Sequence, residues 1–503
     1  MTSKQNIERI AAVLSPGQEA YMVGGFVRDM VLGRDTCDID LTVQGDVGAL
    51  AAAIARQTGG TAFVMDAERE VYRVAVKGAC PAQYDLTPLK GGIEDDLAAR
   101  DFTVNAMAVR IPQYPPSPSS PPLKGGETLL SSPLAGEGRV GALLPSPLEG
   151  GGPGWGCIDP FGGLKDIGTR VIRAVSKDVF TSDPLRMLRA FRLANQLGFI
   201  IEAETLSLVK RDAPLIGSVS PERVLDELYI ILSGPGAAGS FLSMHGAGLL
   251  QEVLPETSPM EGLLQGEPHA HDLFTHSMKA MEYAEKVIED SDRFFGRRAE
   301  EIKGFLDTEM PGGLRMSGLV KLAALLHDTG KPSSMRYEGK KVRFTGHDMA
   351  GGVINETIAA RLKMSSKVAE GLKILTEGHM RPLHLSRREA TRHAVYRYVR
   401  DMGEFLPASL IVALADAFAT RERPEVMPTD VEGVVRDIAD YYFGEYKKAK
   451  AEPLINGGDL IGMFGLVPGP VFREILGDVE EKRAVGAINS RDEAIVYVRK
   501  NFL

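Results

Sequence analysis

At 503 residues the chain is long enough for about three or four domains, and at 44% hydrophobic and 25% charged it has the composition of a soluble globular protein. No run of 18 or more apolar residues predicts a membrane span. The three cysteines (Cys37, Cys80, Cys157) form no C-x-x-C pair, which argues against a disulfide framework or a cysteine zinc site and for a reducing cytoplasm. A net charge of −9 means that any nucleic-acid contact must come from local cationic patches and bound metals, not from the surface as a whole.

The opening MTSKQNIERIAAVL lacks the apolar core and cleavage site of a signal peptide. Residues 21–43 follow, YMVGGFVRDMVLGRDTCDIDLTV. Asp38 and Asp40 lie two apart in an apolar run, so on a strand they share a face and offer a site for a pair of Mg²⁺ ions. Gly24-Gly25 lets backbone N–H groups approach phosphate oxygens, and Arg28, on a short helix ending at Gly33, can pair with phosphate. Two exposed Asp residues at a strand end are commonly only solvated, but a preceding G-G-x-x-R-D points to nucleotidyl transfer.

Strands are predicted at Tyr21–Val23, Ile39–Val43, Tyr72–Val76, Tyr84–Thr87 and Ala106–Arg110, with a helix over Ala51–Gln57, an α+β pattern. Asp85, in QYDLT, is a candidate third metal carboxylate on a neighbouring strand. The string EDDLAARDFTVNAMAV carries Arg100, Asp101 and Asn105, donors and acceptors that suit a ribose and phosphates and equally suit a polar strand edge.

Residues 111–156 are rich in Pro, Gly and Ser, and a short unit recurs at 120 (SPPLKGGE), 132 (SPLAGEG) and 146 (SPLEGGG). Such a segment buries too little apolar surface to offset its ordering entropy, so disorder is expected, as an insertion at a hairpin tip. From about 179 the apolar spacing turns helical, over Arg186–Leu197, Glu222–Leu232, Thr275–Glu289, Leu319–His327, Gly352–Leu362 and Leu410–Thr420, and no strand pattern is expected to return.

Asp183 and Arg186 lie three apart on one helix face and can imitate a Watson–Crick edge; Asp183 before Pro184 also reads as a plain helix start. Ser220-Pro221-Glu222-Arg223 opens another helix with a good cap. Two arginine clusters are candidate RNA patches or solvated faces: Arg186, Arg189 and Arg192, then Arg387, Arg388, Arg392, Arg397 and Arg400. Eight of the nine histidines fall between His269 and His393. His269, His271 and His276 come first. His327-Asp328 ends an apolar helix, and His347, His379 and then Asp416 follow on later segments, a donor set suited to a hard or borderline divalent ion.

The segment 21–43 resembles the head of the DNA polymerase β nucleotidyltransferase superfamily, and with RDFTVNA at 100–106 it resembles the bacterial tRNA nucleotidyltransferase (CCA-adding enzyme) and poly(A) polymerase family. The family motif is R-R-D-F-T-x-N-A, and Ala99 stands in place of its first Arg. The resemblance implies an α+β head, an all-α neck and body, an all-α HD domain and a helical tail. It divides the chain into a head at 1–178, a neck and RNA-binding region at 179–255, an HD phosphohydrolase domain at 256–422 and a tRNA-binding tail at 423–503. It implies that Arg100, Asp101 and Asn105 bind the nucleotide, and that Asp183 and Arg186 template the base, with Arg189 beside them and Ser182 in place of the family's Glu. The order H…HD…D resembles the HD phosphohydrolases. His276, His327, Asp328 and Asp416 fall on their metal positions, His347 and His379 match positions for a second metal, and Lys331 can contact a phosphate. Imidazole ligands favour Mn²⁺, Co²⁺ or Ni²⁺ there.

The implied reaction is template-independent transfer of CMP or AMP from CTP or ATP to the 3′-hydroxyl of tRNA in the cytoplasm; nothing in the sequence points to a protein partner. The rivals are a poly(A) polymerase, a protein-modifying nucleotidyltransferase with an HD domain, and an RNA-binding protein with relic catalytic heads. RDFTVNA and the retained Asp38, Asp40, His327 and Asp328 speak against the last two.

Overall fold

The structure, a computed structural model, describes residues 3–77, 81–112, 156–386, 390–420 and 429–503. Cys80, Arg387, Arg388 and most of the Pro/Gly/Ser-rich segment lie outside the described residues. The chain forms two compact units, Met1–Leu215 and Ile216–Leu503.

The first unit is built on a seven-stranded mixed sheet. Its strands are β1 (Ala20–Val23), β2 (Asp38–Val43), β3 (Thr61–Asp66), β4 (Val71–Val76), β5 (Ala82–Pro88), β6 (Ala108–Arg110) and β7 (Cys157–Ile158), in the order β3-β4-β5-β2-β1-β6-β7. Only β2 and β5 run parallel. Strand β2 alternates as expected: Ile39 and Leu41 are buried, while Asp38 is exposed and Asp40 half-buried. Helix α1 (Gly25–Val31) buries Phe26, Val27 and Val31. Helix α2 (Val47–Thr58) starts where the Asp46 side chain accepts from Ala49 N at 2.8 Å and stops at Gly59, whose φ of 69° suits glycine.

Strands β6 and β7 pair antiparallel, Ala108 with Ile158 and Val109 with Cys157. The described residues on either side of the repetitive segment thus belong to adjacent, paired strands; the segment itself lies outside the described residues. A short parallel pair, β8 (Val171–Ile172) with β9 (Ile200–Ile201), flanks helix α3 (Arg186–Leu197).

The second unit is helical. It opens with α4 (Pro221–Ser233), whose Ser220 occupies the cap position without a side-chain cap bond. Its core packs α5 (Leu273–Glu289) against α6 (Met316–Leu326) and α10 (Leu406–Ala419), with α7 (His347–Arg361), α8 (Ser366–Gly378) and α9 (Arg392–Met402) around them. Every residue of α10 is buried. By length and composition the stretch Arg392–Ala419 could cross a membrane, but 83% of its apolar window is buried inside the protein. Strand structure does return after 179: besides β9, a hairpin of β10 (Arg336–Glu338) and β11 (Lys341–Arg343) precedes α7. The tail has its own core of Ile455, Leu460, Ile475, Val479, Ile488, Ala494 and Val498.

Candidate active sites

In the head, β2 places Asp38 and Asp40 on one face, and the parallel register sets Asp85 of β5 directly beside Asp40. Asp85 is already engaged. Arg73, opposite it on β4, donates to both of its oxygens at 2.7 Å. That bidentate pair turns the third carboxylate toward a cation of the protein itself. Burial pushes the Asp40 carboxyl above its ordinary range. Arg100 pulls the other way, while Asp85 and Asp38 add to the rise. A half-buried carboxylate among carboxylates is an environment that a divalent cation relieves.

Gly24 sits at the same point with φ 69° and ψ −135°. A Cβ there would lie 2.7 Å from Arg100 Nη1 and 3.3 Å from Asp40 Oδ2, so any larger residue would fill the space between them. One carbon at Gly25 would stand 3.5 Å from Arg28 Nη2. Arg28 is held by Asp29 (2.9 Å to each oxygen) and donates to Asn105 Oδ1 at 2.8 Å. Asn105 donates to Asp101 at 3.1 Å, and Arg189 pairs with Asp101 at 3.0 Å. Arg100 is fixed by Asp96 at 3.0–3.1 Å. Asp101 is buried, and its Oδ1 also accepts from Phe102 N at 2.8 Å, so it orients Asn105 and Arg189.

Arg186 donates to the carbonyls of Ala99 (2.8 Å) and Arg100 (3.3 Å) and to Ser182 Oγ (3.4 Å), and its Nε is buried without a partner. It is thus tied to the RDFT loop. Asp183 is extended (φ −150°) and accepts from Leu185 N at 3.3 Å, while the helix proper begins at Arg186. The cap is a turn ahead of the helix, not the simple N-cap that the sequence suggested. Sequence reading missed the bracing roles of Asp96 and Asp166. The last accepts from Thr103 at 2.7 Å and from Arg173, and so braces the loop from the next segment. Gly163 beside it is obligatory, since a Cβ would overlap the Thr103 carbonyl.

In the second unit the predicted histidines and aspartates converge. Asp272 accepts from Thr275 N at 2.7 Å, starting α5 so that His276 points inward. His327 and Asp328 close α6, His347 opens α7, His379 closes α8 and Asp416 comes from α10. His276 Nε2 is 3.1 Å from Asp416 Oδ1 and 3.3 Å from His327 Nε2, which is 3.0 Å from Asp328 Oδ2. On the other side of the same carboxylate, His347 Nε2 is 3.3 Å from Asp328 Oδ1 and 3.4 Å from His379 Nε2.

The tautomers are set by the backbone. The Nδ1 of His327, His347 and His379 lies 2.8, 2.7 and 2.6 Å from the carbonyls of Ala324, Phe344 and Thr376. Each Nδ1–H donates outward and each Nε2 lone pair faces inward. The facing lone pairs of His347 and His379, 3.4 Å apart, repel unless a cation stands between them, and this spacing is that of two ligands about 2.1 Å from one ion. Both Asp328 oxygens are buried without a well-directed hydrogen bond, although Lys331 Nζ is 2.6 Å away.

Burial opposes charge on His327, but Asp328 and Asp416 outweigh it and hold the imidazole above its ordinary range. Burial raises Asp328, and His327 and Lys331 overcome it and bring the carboxyl well below the usual range. Burial, then His327, lowers His379 to about 4. The group as a whole demands positive charge at its centre, and the donor set fits one or two divalent ions. A cavity of about 870 Å³, lined by Lys331, Arg343, His269 and His384, opens onto Asp328 and Asp416. Gln265, unmarked in the sequence, accepts from Lys331 at 2.7 Å and aims it.

Comparisons with known proteins place the chain among known families. Residues 20–115 match the family model "Poly A polymerase head domain", residues 198–261 "Probable RNA and SrmB- binding site of polymerase A" and residues 273–442 "HD domain". The chain is 32% identical over 496 residues to the A-adding tRNA nucleotidyltransferase of Deinococcus radiodurans, covering 96% of this chain and 95% of that protein. It is 29% identical over 488 residues to the CC-adding tRNA nucleotidyltransferase of Geobacter sulfurreducens, covering 97% and 93%. Among solved structures, the Thermotoga maritima CCA-adding enzyme complexed with tRNA shares the fold, with a TM-score of 0.62 at 20% identity over 100% of this chain and 97% of that one. With a relative this similar over nearly the whole length of both chains, the protein belongs to the tRNA nucleotidyltransferase and poly(A) polymerase family, and it is a nucleotidyltransferase that carries an HD domain.

Proposed function

We propose that this enzyme adds CMP, AMP or both to the 3′-hydroxyl of tRNA, in the cytoplasm, using CTP and ATP and no template. The observation that carries the reading is the meeting of Asp38, Asp40, Gly24 and Arg100 at one point of the head. Two Mg²⁺ ions, when bound to Asp38 and Asp40, would supply activation of the attacking hydroxyl and charge against the triphosphate. The chain's own residues do the rest. Gly24 leaves the backbone open to phosphate. Arg28 and Arg100, preset by Asp29, Asn105 and Asp96, face the phosphates and ribose. Arg186 and Asp183 read the base edge, and because Arg186 hangs on the carbonyls of residues 99 and 100, base choice is mechanically linked to the RDFT loop. Incubating the protein with tRNA lacking its 3′ end and each labelled triphosphate tests this. Incorporation of C, A or both is expected, and no incorporation from any triphosphate overturns it. In family terms the relatives include both A-adding and CC-adding enzymes, so the same assay assigns the nucleotide.

A second reading is favoured by one observation, the inward lone pairs around Asp328. It assigns the HD domain a metal-dependent phosphohydrolase activity on phosphate monoesters or 2′,3′-cyclic phosphates at RNA ends. His276, His327 and Asp416 would hold an ion of the Mn²⁺, Co²⁺ or Ni²⁺ class, and Asp328 and His379, with His347 beside them, would hold a second. When bound, the metal supplies an activated water. Lys331, steered by Gln265, receives the phosphate. The division into head, neck, HD domain and tail at 178, 255 and 422 is kept as part of this proposal.

A further inference from the structure

The second arginine cluster of the sequence is not absorbed by either site. Its described members lie on α9, which Thr391 caps at Ala394 N (3.2 Å). One face of α9 borders a cavity of about 410 Å³, bounded also by the π-turn Tyr442–Tyr446 and by helix α11 (Pro470–Ala484). That volume is in the range of small-ligand sites.

Three observations give the cavity a chemistry. Its walls are aromatic: Tyr396, Tyr441 and Tyr446, with the rings of Tyr396 and Tyr446 centred 6.1 Å apart and tilted by 58°. Its rim is cationic: Arg392, Lys448, Lys450 and Arg483, against two carboxylates, Glu445 and Glu480. The third observation is a stranded donor. Tyr396 is 2% exposed, yet its hydroxyl has no hydrogen-bond partner. Burial and then Glu480 raise its pKa, so it stays an O–H donor. A buried hydroxyl with no acceptor is costly unless a ligand supplies one. The turn that presents Tyr446 is π-helical, a local distortion that concentrates at functional sites.

We infer that this cavity is a base-binding pocket, which takes one unstacked nucleobase of an RNA substrate against the partly exposed rings of Tyr441 and Tyr446, over Tyr396, while Arg392, Lys448 and Lys450 meet the flanking phosphates. The ring faces supply sequence-tolerant stacking. The Tyr396 hydroxyl donates to a ring nitrogen or carbonyl of the base, and Glu480 accepts from an exocyclic amine. The inference rests on RNA being the substrate, and it adds an anchoring point in the tail that neither catalytic centre contains.

The test uses the full-length protein and tRNA lacking its 3′ end, with binding measured by fluorescence anisotropy alongside nucleotide addition. Tyr446→Leu is expected to weaken tRNA binding about tenfold, the loss of one stacked base, with KM for CTP and ATP and the kcat at saturating tRNA unchanged. Tyr396→Phe removes only the hydroxyl and is expected to weaken binding about fivefold. Arg392→Gln should reduce the salt slope of the binding constant by about 1. If Tyr446→Leu unfolds, the other two variants carry the test. Wild-type tRNA affinity in Tyr396→Phe and Tyr446→Leu, at wild-type Tm, overturns the pocket while leaving nucleotide addition standing. A wild-type protein that binds tRNA through Tyr446 but adds no nucleotide overturns the transfer reading and keeps the pocket.

Discussion

At the scale of single residues, the proposed transfer reaction rests on Asp38 and Asp40. Asp38→Asn and Asp40→Asn should each bring nucleotide addition to background while changing stability by no more than about 0.5 kcal/mol, because neither carboxylate is in the core. Wild-type turnover in either variant, in the labelled-triphosphate assay, would sink the site. Asp183→Ala and Arg186→Ala should blur the choice among the four bases more than they slow addition, read as misincorporation ratios. If Asp183→Ala keeps the ratios and costs only about 1 kcal/mol of stability, the turn that it makes with Leu185 is its whole role. The motif residues were legible in the sequence, since G-G-x-x-R-D with D-x-D fixes chemistry by residue type and spacing. Their partners were not. Asp96 and Asp166 are ordinary carboxylates whose meaning comes from the bonds they make, Asp96 to Arg100 one turn on at 3.0–3.1 Å and Asp166 to Thr103 at 2.7 Å. Nor could Asp85 be settled from sequence, because its register against Arg73 decides which cation it serves.

At the scale of elements, periodicity located α3 to the residue and placed the other core helices, and it found strands β1, β2, β4 and β5. It missed β3, an edge strand whose Phe63, Val64 and Met65 are all exposed, so no alternation of burial shapes it. It missed the β10–β11 hairpin for a similar reason: RYEGKKVR is mostly charged and holds its form by strand pairing and the Arg343–Glu338 ion pair. The β6–β7 hairpin gives two linked predictions. Deleting residues 113–154 should leave nucleotide addition and Tm nearly unchanged, since both strand ends already pair at Ala108–Ile158. A large fall in Tm would show that the segment packs. Burial, then Asp159, pushes the Cys157 thiol up to about 11, from an ordinary value of 9.0. Thiolate is the reactive form, so at neutral pH iodoacetamide should label Cys157 on the order of a hundredfold more slowly than exposed Cys37, by peptide mass spectrometry. The ratio should survive the deletion if β7 stays paired, and collapse if it does not.

At the scale of the whole molecule, the two candidate centres lie in different compact units and share no residue. Asp328→Ala should therefore remove hydrolysis and spare nucleotide addition, and Asp38→Asn should do the reverse. Both are assayed with a generic phosphodiester and a phosphomonoester across Mn²⁺, Co²⁺, Ni²⁺ and Mg²⁺. If no metal supports hydrolysis and elemental analysis of purified protein finds no bound ion, the HD domain is a scaffold. Loss of both activities in either variant would mean that the units depend on each other. The composition foretold a multidomain chain. The clustering of histidines pointed to side chains that do converge, but not to the backbone carbonyls of Ala324, Phe344 and Thr376 that preset three of the imidazoles.

The hairpin between β6 and β7 has a practical corollary. Its two strand ends are held side by side by their own ladder, about 5 Å apart for facing antiparallel residues. A fluorescent reporter or an affinity module whose own termini are neighbours, grafted in place of residues 113–154, is therefore expected to leave nucleotide addition intact, and loss of addition in the graft would show that the replaced residues matter to the sheet.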